Sequence, residues 1–368
     1  MPTMVQLAAE VFRARRERLG ARLERRRLPI LVVSNPVNIF YLTGFRGTAG
    51  VAVFARSEAL LWVDPRYTLQ ARQQARGVEV IEAKTGLFKA VGRWLKKRRP
   101  RLGGYEDSHL TCAGFRSLEE ESPSGMRYHA AGGVIEELRT IKDPYEIDHI
   151  RQAGHLTAEV LTEMIPGIRP GVRESDVAAE LEYRMRRKGA DGAAFETIVA
   201  SGTRGALPHA RASRKQMAAG ELVILDLGAI LGGYAADMTR TLYLGRPGRR
   251  VRNLYQAVLE AQQDATETAR PGARAGDVDA AARRCLTRRG VGDYFSHSTG
   301  HGVGLDVHER PRLGRNEKTK LRAGFVVTAE PGIYLEGFGG IRVEDTVLVG
   351  TGRPEILTPA AKDAWFIE

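Results

Sequence analysis

The alternation of apolar and polar positions between Leu222 and Gly245 is the most informative pattern in the chain. Two runs rich in β-branched and aromatic residues flank a Leu-Gly-Gly segment at 231–233, which predicts a β-hairpin. Asp226 and Asp237 stand symmetrically about this turn, so we expect them directly opposite each other on one face. Facing carboxylates repel, and a cation between them removes the repulsion. The alternative is that both aspartates cap turns, where Asp is common.

The N-terminal third has the pattern of an α/β domain. Residues up to about 30 predict an amphipathic basic helix, and the apolar segments 30–45 and 50–63 predict strands broken by turns. A helix is expected from about Pro65, a strand over Val78–Ala83 and then another helix. Glycines 132 and 133 indicate a boundary, so we predict domains 1–133 and 134–368. A capping box at 143–146 predicts a helix from there to about Met164.

The second half contains an internal repeat. Residues 169–189 match residues 270–290 without a gap and share the opening Arg-Pro-Gly, an Asp-Val pair and the closing glycine. Each copy follows a predicted helix and precedes predicted strands. Such a period usually marks a structural unit used twice, so we expect two related α/β halves around one sheet. Chance similarity between two basic helices is the alternative.

The repeat predicts a second hairpin, and the sequence contains one. The runs FVVTAEPGIYL and IRVEDTVLV flank a glycine-rich turn, with Glu330 and Glu344 placed symmetrically about Gly337. These two glutamates are therefore also predicted to be cross-strand neighbours. Each half thus supplies two carboxylates, and four converging carboxylates without a metal would repel strongly.

Four of the eight histidines lie near these carboxylates in sequence. Three of them belong to the segment HSTGHGVGLDVHE, whose glycines argue against the helical zinc motif and allow close backbone approach. A single histidine of this kind is more often structural, but together the four favour a site: His209, His297, His301 and His308.

Hard oxygen ligands combined with imidazole suit two divalent ions such as Mn²⁺ or Co²⁺. The only cysteines, Cys112 and Cys285, stand far apart, which excludes a thiolate site. Two such ions about 3.5–4 Å apart can hold a bridging hydroxide and polarise a carbonyl or phosphoryl oxygen. The residues alone therefore indicate a di-metal hydrolase.

Composition narrows the class of protein further. In 368 residues, 43% are hydrophobic and 27% charged, as in a soluble globular protein, and no run approaches the ~20 apolar residues of a membrane span. No segment has the pattern of a signal peptide, and the two cysteines fit a reducing cytoplasm. The net charge of +12 raises the possibility of nucleic-acid binding, but the basic residues recur on helical faces without interleaved aromatics. We therefore favour a solvated basic surface, with no nucleic-acid or membrane partner.

The sequence blocks around these residues resemble a known family of enzymes. DLGA–YAADMTRT, STGHGVGLDVHE, AEPGIY and GIRVEDT are similar to motifs of the metallopeptidases that include prolidases, Xaa-Pro aminopeptidases and methionine aminopeptidases. The order Asp, Asp, His, Glu, Glu and its spacing match. The resemblance covers residues 135–368 and, more loosely, the preceding residues, which look like the creatinase-type N-terminal domain. It implies an α/β pita-bread catalytic domain with an internal pseudo-two-fold and a smaller α/β N-terminal domain.

The resemblance also implies a metal-binding role for each matching residue. Asp226 would bind one ion, His301 and Glu330 would bind the other, and Asp237 and Glu344 would bridge both. Two divalent ions are implied, with Mn²⁺ favoured and Co²⁺ or Zn²⁺ as alternatives.

Further roles carried by the resemblance concern catalysis. Glu330 would accept the proton of the attacking water, and His209 and His308 would contact the substrate and stabilise the tetrahedral intermediate. His297 would line the site. The carboxylates would be oriented from behind by Arg342 and Thr239, although a surface ion pair is the alternative for the arginine.

The likeness is closest to short prolidases, in which an arginine at the position of Arg312 lies near the carboxylate of the substrate. The implied function is an Xaa-Pro dipeptidase in which the metal-bridged hydroxide attacks the scissile carbonyl. An Xaa-Pro aminopeptidase acting on longer peptides is the main alternative, because short bacterial enzymes of that kind share many of the same motif residues. The metal-free creatinase reaction and a non-catalytic binding protein are remoter, because all five ligands are present. A cytoplasmic homodimer and a peptide substrate with proline in second position are expected.

Overall fold

The structure is a computed structural model that describes residues 4–56, 58–363 and 366–367. The chain divides into two compact units, Met1–Arg139 and Thr140–Glu368. The boundary predicted at 133/134 lies just before a short helix, Val134–Arg139, which belongs to the first unit. No helix among the described residues is both long enough and apolar enough to cross a lipid bilayer.

A six-stranded mixed sheet organises the first unit. Its strands are β1 (Ile30–Val33), β2 (Gly50–Ala55), β3 (Ala59–Val63), β4 (Glu79–Glu82), β5 (Leu102–Tyr105) and β6 (Arg127–Ala130). They lie in the order β4-β3-β2-β1-β5-β6, with β1 antiparallel to β2 and parallel to β5. The helices of this unit are α1 (Met4–Arg25), α2 (Pro36–Thr43), α3 (Thr68–Gln74), α4 (Leu87–Arg98), α5 (Cys112–Glu121) and α6 (Val134–Arg139), with a 3₁₀ turn at Pro65–Tyr67.

Helix α2 differs from the prediction, which assigned strands and turns to residues 30–45. The Asn-Pro pair starts a helix here, because the Asn35 side chain accepts a hydrogen bond from the Val37 N–H at 2.9 Å and Pro36 occupies the first turn. Gly44 ends the helix in the left-handed conformation, with φ of 82°. The apolar residues of this segment therefore follow a helical period rather than an alternating one.

Four long helices repeat across the two halves of the second unit: α7 (Pro144–Met164), α8 (Glu174–Arg187), α9 (Arg249–Thr268) and α10 (Ala275–Arg288). The predicted capping box at Asp143 and Glu146 is present at the start of α7. Helices α8 and α10 begin and end at matching positions of the sequence repeat. Each follows a left-handed glycine, Gly171 with φ of 89° and Gly272 with φ of 90°. The predicted repeat is therefore a structural one.

The strands of the second unit form four short sheets rather than the single sheet that was predicted. In chain order the strands are β7 (Gly192–Ala193), β8 (Ile198–Ser201), β9 (Leu222–Leu227), β10 (Ala229–Leu231), β11 (Tyr234–Ala235), β12 (Met238–Leu244), β13 (Gly300–Gly302), β14 (Glu309–Leu313), β15 (Val326–Ala329), β16 (Gly332–Leu335), β17 (Gly339–Arg342), β18 (Asp345–Leu348), β19 (Glu355–Ile356) and β20 (Phe366–Ile367). The sheet orders are β11-β10-β7, β20-β12-β9-β8, β14-β13-β15-β18-β19 and β16-β17. Single 3₁₀ turns lie at Ile165–Gly167, Gly202–Ala206 and Gly292–Tyr294.

Each half of the second unit has its own apolar core. Helices α7 and α8 bury Leu161 and Leu181 against Leu225 of β9, whereas α9 and α10 bury Val258 and Val278 in a second cluster with strands β15 to β18. Burying each such side chain contributes about 1.5–3 kcal/mol. These two cores hold the paired strands on which the carboxylates lie.

The first hairpin is shifted from its predicted register. Asp226 pairs with Thr239 rather than with Asp237, because the two-residue turn consists of Gly232 and Gly233, with φ of 61° and 85°. Positive φ at both positions is typical of the turns that join hairpin strands. A shift of two residues leaves both aspartates on the same face of the hairpin.

The second hairpin has the predicted register. Strands β15 and β18 pair through Ala329 and Asp345, and β16 and β17 pair through Gly332 and Arg342. Continuing this register through the interruption brings Glu330 opposite Glu344. The ladder is interrupted at the adjacent Pro331, which has no N–H to donate.

Candidate metal centre

Strand ends in the second unit bring four carboxylates and one imidazole together. Ligand-type atoms of Asp237, His301 and Glu344 all lie within 4.8 Å of one another. The His301 Nε2 atom is 3.6 Å from Asp237 Oδ2 and 3.3 Å from Glu330 Oε1. Asp226 belongs to the same group, because it pairs across the hairpin with Thr239, whose hydroxyl donates to Glu344 Oε2. All five predicted ligand residues therefore meet at one place.

Burial and mutual repulsion shift the pKa values of these carboxyl groups. Burial raises the pKa of Asp237 and of Glu344 well above the usual range, and neighbouring carboxylates raise both further. Burial also raises the pKa of Asp226. At Glu330 burial acts in the same direction, but the His301 hydrogen bond and charge outweigh it and lower the pKa to about 2. The crowded site thus favours protons on some carboxyls and a negative charge on Glu330 unless cations are supplied.

The donor atoms fit divalent cations. Two buried carboxylate oxygens, Asp226 Oδ1 and Glu344 Oε1, have no hydrogen-bond partner among the residues that the structure describes. The Nδ1 atom of His301 lies 3.0 Å from the Gly302 carbonyl, an arrangement that keeps a proton on Nδ1 and makes Nε2, which faces the carboxylates, the nitrogen that can exchange its proton for a cation. Carboxylate oxygens without a hydrogen-bond partner, beside an imidazole nitrogen that can lose its proton, are suitable ligands for divalent ions.

Arg342 lies behind the carboxylates and is only 3% exposed, so it is a buried arginine and not part of a surface ion pair. Its Nη2 donates to Asp226 Oδ2 at 2.6 Å, and its Nε donates to Thr239 Oγ1 at 3.0 Å. Thr239 in turn donates to Glu344 Oε2 at 2.6 Å. One arginine and one threonine thereby orient a carboxylate from each hairpin.

Tyr334 is a residue of the site that sequence reasoning missed. Its hydroxyl lies 2.8 Å from His297 Nε2 and accepts a hydrogen bond of 2.8 Å from Arg342 Nη1. Burial raises its pKa to about 12, so it stays protonated at neutral pH. The alternation along the GIYL strand was the available signal, since it places Tyr334 on the same face as Gly332 and Glu330.

The three remaining histidines surround this group. The His308 ring lies 4.2 Å from the His301 ring, centroid to centroid, and His297 reaches the tyrosine hydroxyl. Burial lowers the pKa of both His297 and His308. His209 follows Pro208, whose carbonyl accepts a hydrogen bond from Arg342 Nη1 at 3.2 Å, so the loop that carries it lies beside the site, and the neutral forms of His297 and His308 can donate or accept protons.

Arg312 lies at the edge of the same site. Strands β13 and β14 pair His301 with Arg312, which places the two side chains on one face. The arginine is exposed, and its guanidinium has no hydrogen-bond or ion-pair partner within the part of the chain that the structure describes. It is thus a positive charge free to meet a negatively charged group close to the histidine.

A second buried arginine, Arg240, was also missed. Its Nη2 donates to Asp345 Oδ1 at 2.7 Å and its Nη1 to the Glu344 carbonyl at 2.5 Å. Lys362 completes the group by donating to Asp345 Oδ2 at 2.5 Å. Arg240 and Asp345 lie close in sequence to the motif carboxylates Asp237 and Glu344, which was a signal that they belong to the site. Their pairing with each other depends on the tertiary fold.

Buried carboxylates, two of them with an unsatisfied oxygen, one imidazole and further histidines nearby form a donor set suited to divalent metal ions. Residues 148–351 match the model of metallopeptidase family M24, and residues 15–141 match that of the Creatinase/Prolidase N-terminal domain. The chain belongs to family M24 and is a peptidase, and the family implies divalent metal ions.

Relatives cover nearly the whole chain. An Xaa-Pro dipeptidase of Pyrococcus furiosus is 37% identical over 96% of this chain and 99% of its own. The structure of an Xaa-Pro dipeptidase from Bacillus anthracis superposes with a TM-score of 0.93 at 36% identity, covering 97% of this chain and 100% of that one. An X-Pro aminopeptidase from Thermotoga maritima has a TM-score of 0.88 at 34% identity, covering 94% and 100%. The two-unit α/β fold with a pita-bread catalytic domain is therefore that of the family.

Proposed function

We propose that this protein is an Xaa-Pro dipeptidase that uses two divalent metal ions. The observation that carries the proposal is the convergence of five ligand-type side chains, two of them with unsatisfied buried oxygens, beside an exposed arginine. Relatives named Xaa-Pro dipeptidase, similar over nearly the full chain, support the same substrate class.

The metal ligands we assign are Asp226, Asp237, His301, Glu330 and Glu344. Four carboxylates and one imidazole favour Mn²⁺ among the candidate ions, ahead of Co²⁺ or Zn²⁺. When bound, the ions supply Lewis-acid polarisation of the scissile carbonyl and lower the pKa of the attacking water. Arg342 and Thr239 keep the carboxylates oriented for this purpose.

Glu330 is the base in this proposal. Its carboxylate lies within the ligand group, with Oε1 3.3 Å from His301 Nε2, so a water bound between the ions would be within its reach and could pass a proton to it. In this proposal His209 and His308 donate N–H groups to the carbonyl oxygen as negative charge develops on it. His297, held by Tyr334, lines the wall beside them.

The preference for proline has a physical basis. A bond before proline lacks the N–H group that many peptidases recognise, whereas a metal centre acts on the carbonyl and the free amine. Arg312 then pairs with the C-terminal carboxylate, which in a dipeptide lies next to the scissile bond. Longer peptides place that carboxylate farther away, so the arginine favours dipeptides over the substrates of an Xaa-Pro aminopeptidase.

The test compares two peptides on metal-stripped, Mn²⁺-reconstituted protein. We expect faster hydrolysis of Ala-Pro than of Ala-Pro-Ala, and an Arg312→Ala variant that loses this preference. Arg315→Ala, which removes an exposed arginine just beyond the strand, is the matched control and should retain it. Preference for the tripeptide would make the chain an Xaa-Pro aminopeptidase. A homodimer and a cytoplasmic location remain predictions, and light scattering tests the former.

A further inference from the structure

The loop that carries His209 is held at its base by a buried carboxylate. The loop spans residues 202–212 and follows β8. Glu174, the first residue of α8, is fully buried, and its Oε1 accepts hydrogen bonds from Ser201 N and Oγ, both at 2.8 Å. Its Oε2 accepts from Ser213 N at 3.1 Å and Oγ at 2.6 Å. One carboxylate thus ties together the residues on either side of the loop.

Two arginines hold the body and the tip of this loop. Arg204 donates to Glu174 Oε2 at 3.0 Å and to the Arg211 carbonyl at 2.5 Å, so it spans the loop from one side to the other. Arg342 donates to the Pro208 carbonyl at 3.2 Å, one residue before His209. The position of His209 therefore depends on Glu174 at the base and on Arg342, which also orients Asp226, at the tip.

A similar buried acid is present in the other half of the second unit. Asp279 of α10 is buried, and its Oδ1 accepts from Thr299 N at 3.1 Å and Oγ1 at 2.9 Å. Arg283 donates to Asp279 and to the carbonyls of Phe295 and His297. The two acids do not occupy matching positions of the repeat, since Asp279 corresponds to Ala178. Each histidine-bearing segment is therefore held by a buried acid, but the two acids come from different positions of the repeat.

We propose that Glu174 is a positioning residue for His209, acting through the two ends of the 202–212 loop. This inference rests on the proposed function in one respect, namely that His209 contacts the substrate. A carboxylate suits this position because it only accepts hydrogen bonds, and five donor groups converge on it. A glutamine would turn an NH₂ group toward donors and release one end of the loop.

The experiment uses the Mn²⁺-loaded full chain with Glu174→Gln and Ser213→Ala. Glu180→Gln is the matched control, because it removes a carboxylate from the same helix in an exposed ion pair with Arg184. We expect hydrogen exchange of the 202–213 amides to accelerate at least tenfold in Glu174→Gln, with metal content unchanged. For Ala-Pro, kcat/KM should fall about 10- to 100-fold. Ser213→Ala, which removes a single hydroxyl, should show a loss of about two- to tenfold and keeps the test valid if Glu174→Gln does not fold.

A double-variant cycle separates positioning from a general structural role. If Glu174 or Ser213 acts through His209, adding its substitution to His209→Ala should change kcat/KM by less than twofold. Multiplied losses, loss of metal, or unchanged exchange of the loop would overturn the proposal. Accelerated loop exchange in a chain that hydrolyses neither peptide would instead overturn the proposed function and support the anchor, so the two failures are distinguishable.

Discussion

Replacing Arg240 by methionine should destabilise the protein far more than removing an exposed arginine. Arg240 and Asp345 have side-chain exposures of 1% and 0%, and their atoms are 2.7 Å apart. Breaking such a buried pair costs about 3–5 kcal/mol, because the remaining charge is left in a poorly solvated place. Lys362 still donates to Asp345 and offsets part of this charge, but the carbonyls of Glu344, Ala360 and Ala361 also lose their donor, at about 1–3 kcal/mol each, which keeps the total in this range. We therefore expect the free energy of unfolding to fall by about 3–5 kcal/mol.

The control is Arg151→Met, which makes the same chemical change in the same unit. Arg151 also binds a carboxylate, that of Glu355, through two nitrogens at 2.8 and 3.2 Å, but the side chains are 34% and 46% exposed. Exposed pairs contribute about 0–1 kcal/mol, so this variant should be close to the parent protein. Burial is thus the main difference between the two variants.

Thermal and urea unfolding of the metal-free chains provide the assay. A loss of 3–5 kcal/mol corresponds to a fall in Tm of roughly 6–20 °C for a unit of this size. The Arg240 variant should also bind Mn²⁺ more weakly, since the arginine holds the backbone of Glu344. Equal Tm shifts for the two variants, or an Arg240 variant within 1 kcal/mol of the parent, would refute the reasoning.

Two further predictions concern protons and thiols. Because the pKa values of Asp237 and Glu344 are raised in the metal-free fold, their protonated forms stabilise it at low pH, and this contribution is lost as the pH rises. Mn²⁺ should therefore release protons and bind more tightly as the pH increases, and calorimetry in two buffers that shows proton uptake would contradict this. Burial raises the pKa of the Cys285 thiol while Cys112 is exposed, so Ellman's reagent should label Cys112 quickly and Cys285 only on unfolding. Rapid labelling of both thiols would contradict the burial.

The predictions from sequence succeeded where a local pattern determines the geometry. The register that brings Glu330 opposite Glu344 follows from two alternating strands around one glycine turn. For Asp226 and Asp237 the same logic missed by two residues, because the position of a two-glycine turn cannot be read from symmetry alone. The face of the hairpin was still correct, since side chains alternate with a period of two.

The misses have a different physical origin. Glu174, Arg240 and Tyr334 act through partners that are not their neighbours in the chain, and the local signals at Arg240 and Tyr334 do not reveal those partners. Their burial and hydrogen bonds are created only when helices and strands pack. The helix Pro36–Thr43 was missed because an Asn-Pro pair starts turns and helices alike, and packing decides between them.

The most direct test of the central claim is the Mn²⁺ stoichiometry measured together with Ala-Pro hydrolysis, for the parent chain and for Asp237→Ala. We predict two tightly bound ions per chain with hydrolytic activity in the parent, and loss of both in the variant, because Asp237 is assigned to contact both ions. An Asp237→Ala chain that retains full peptidase activity would contradict the assignment of this centre.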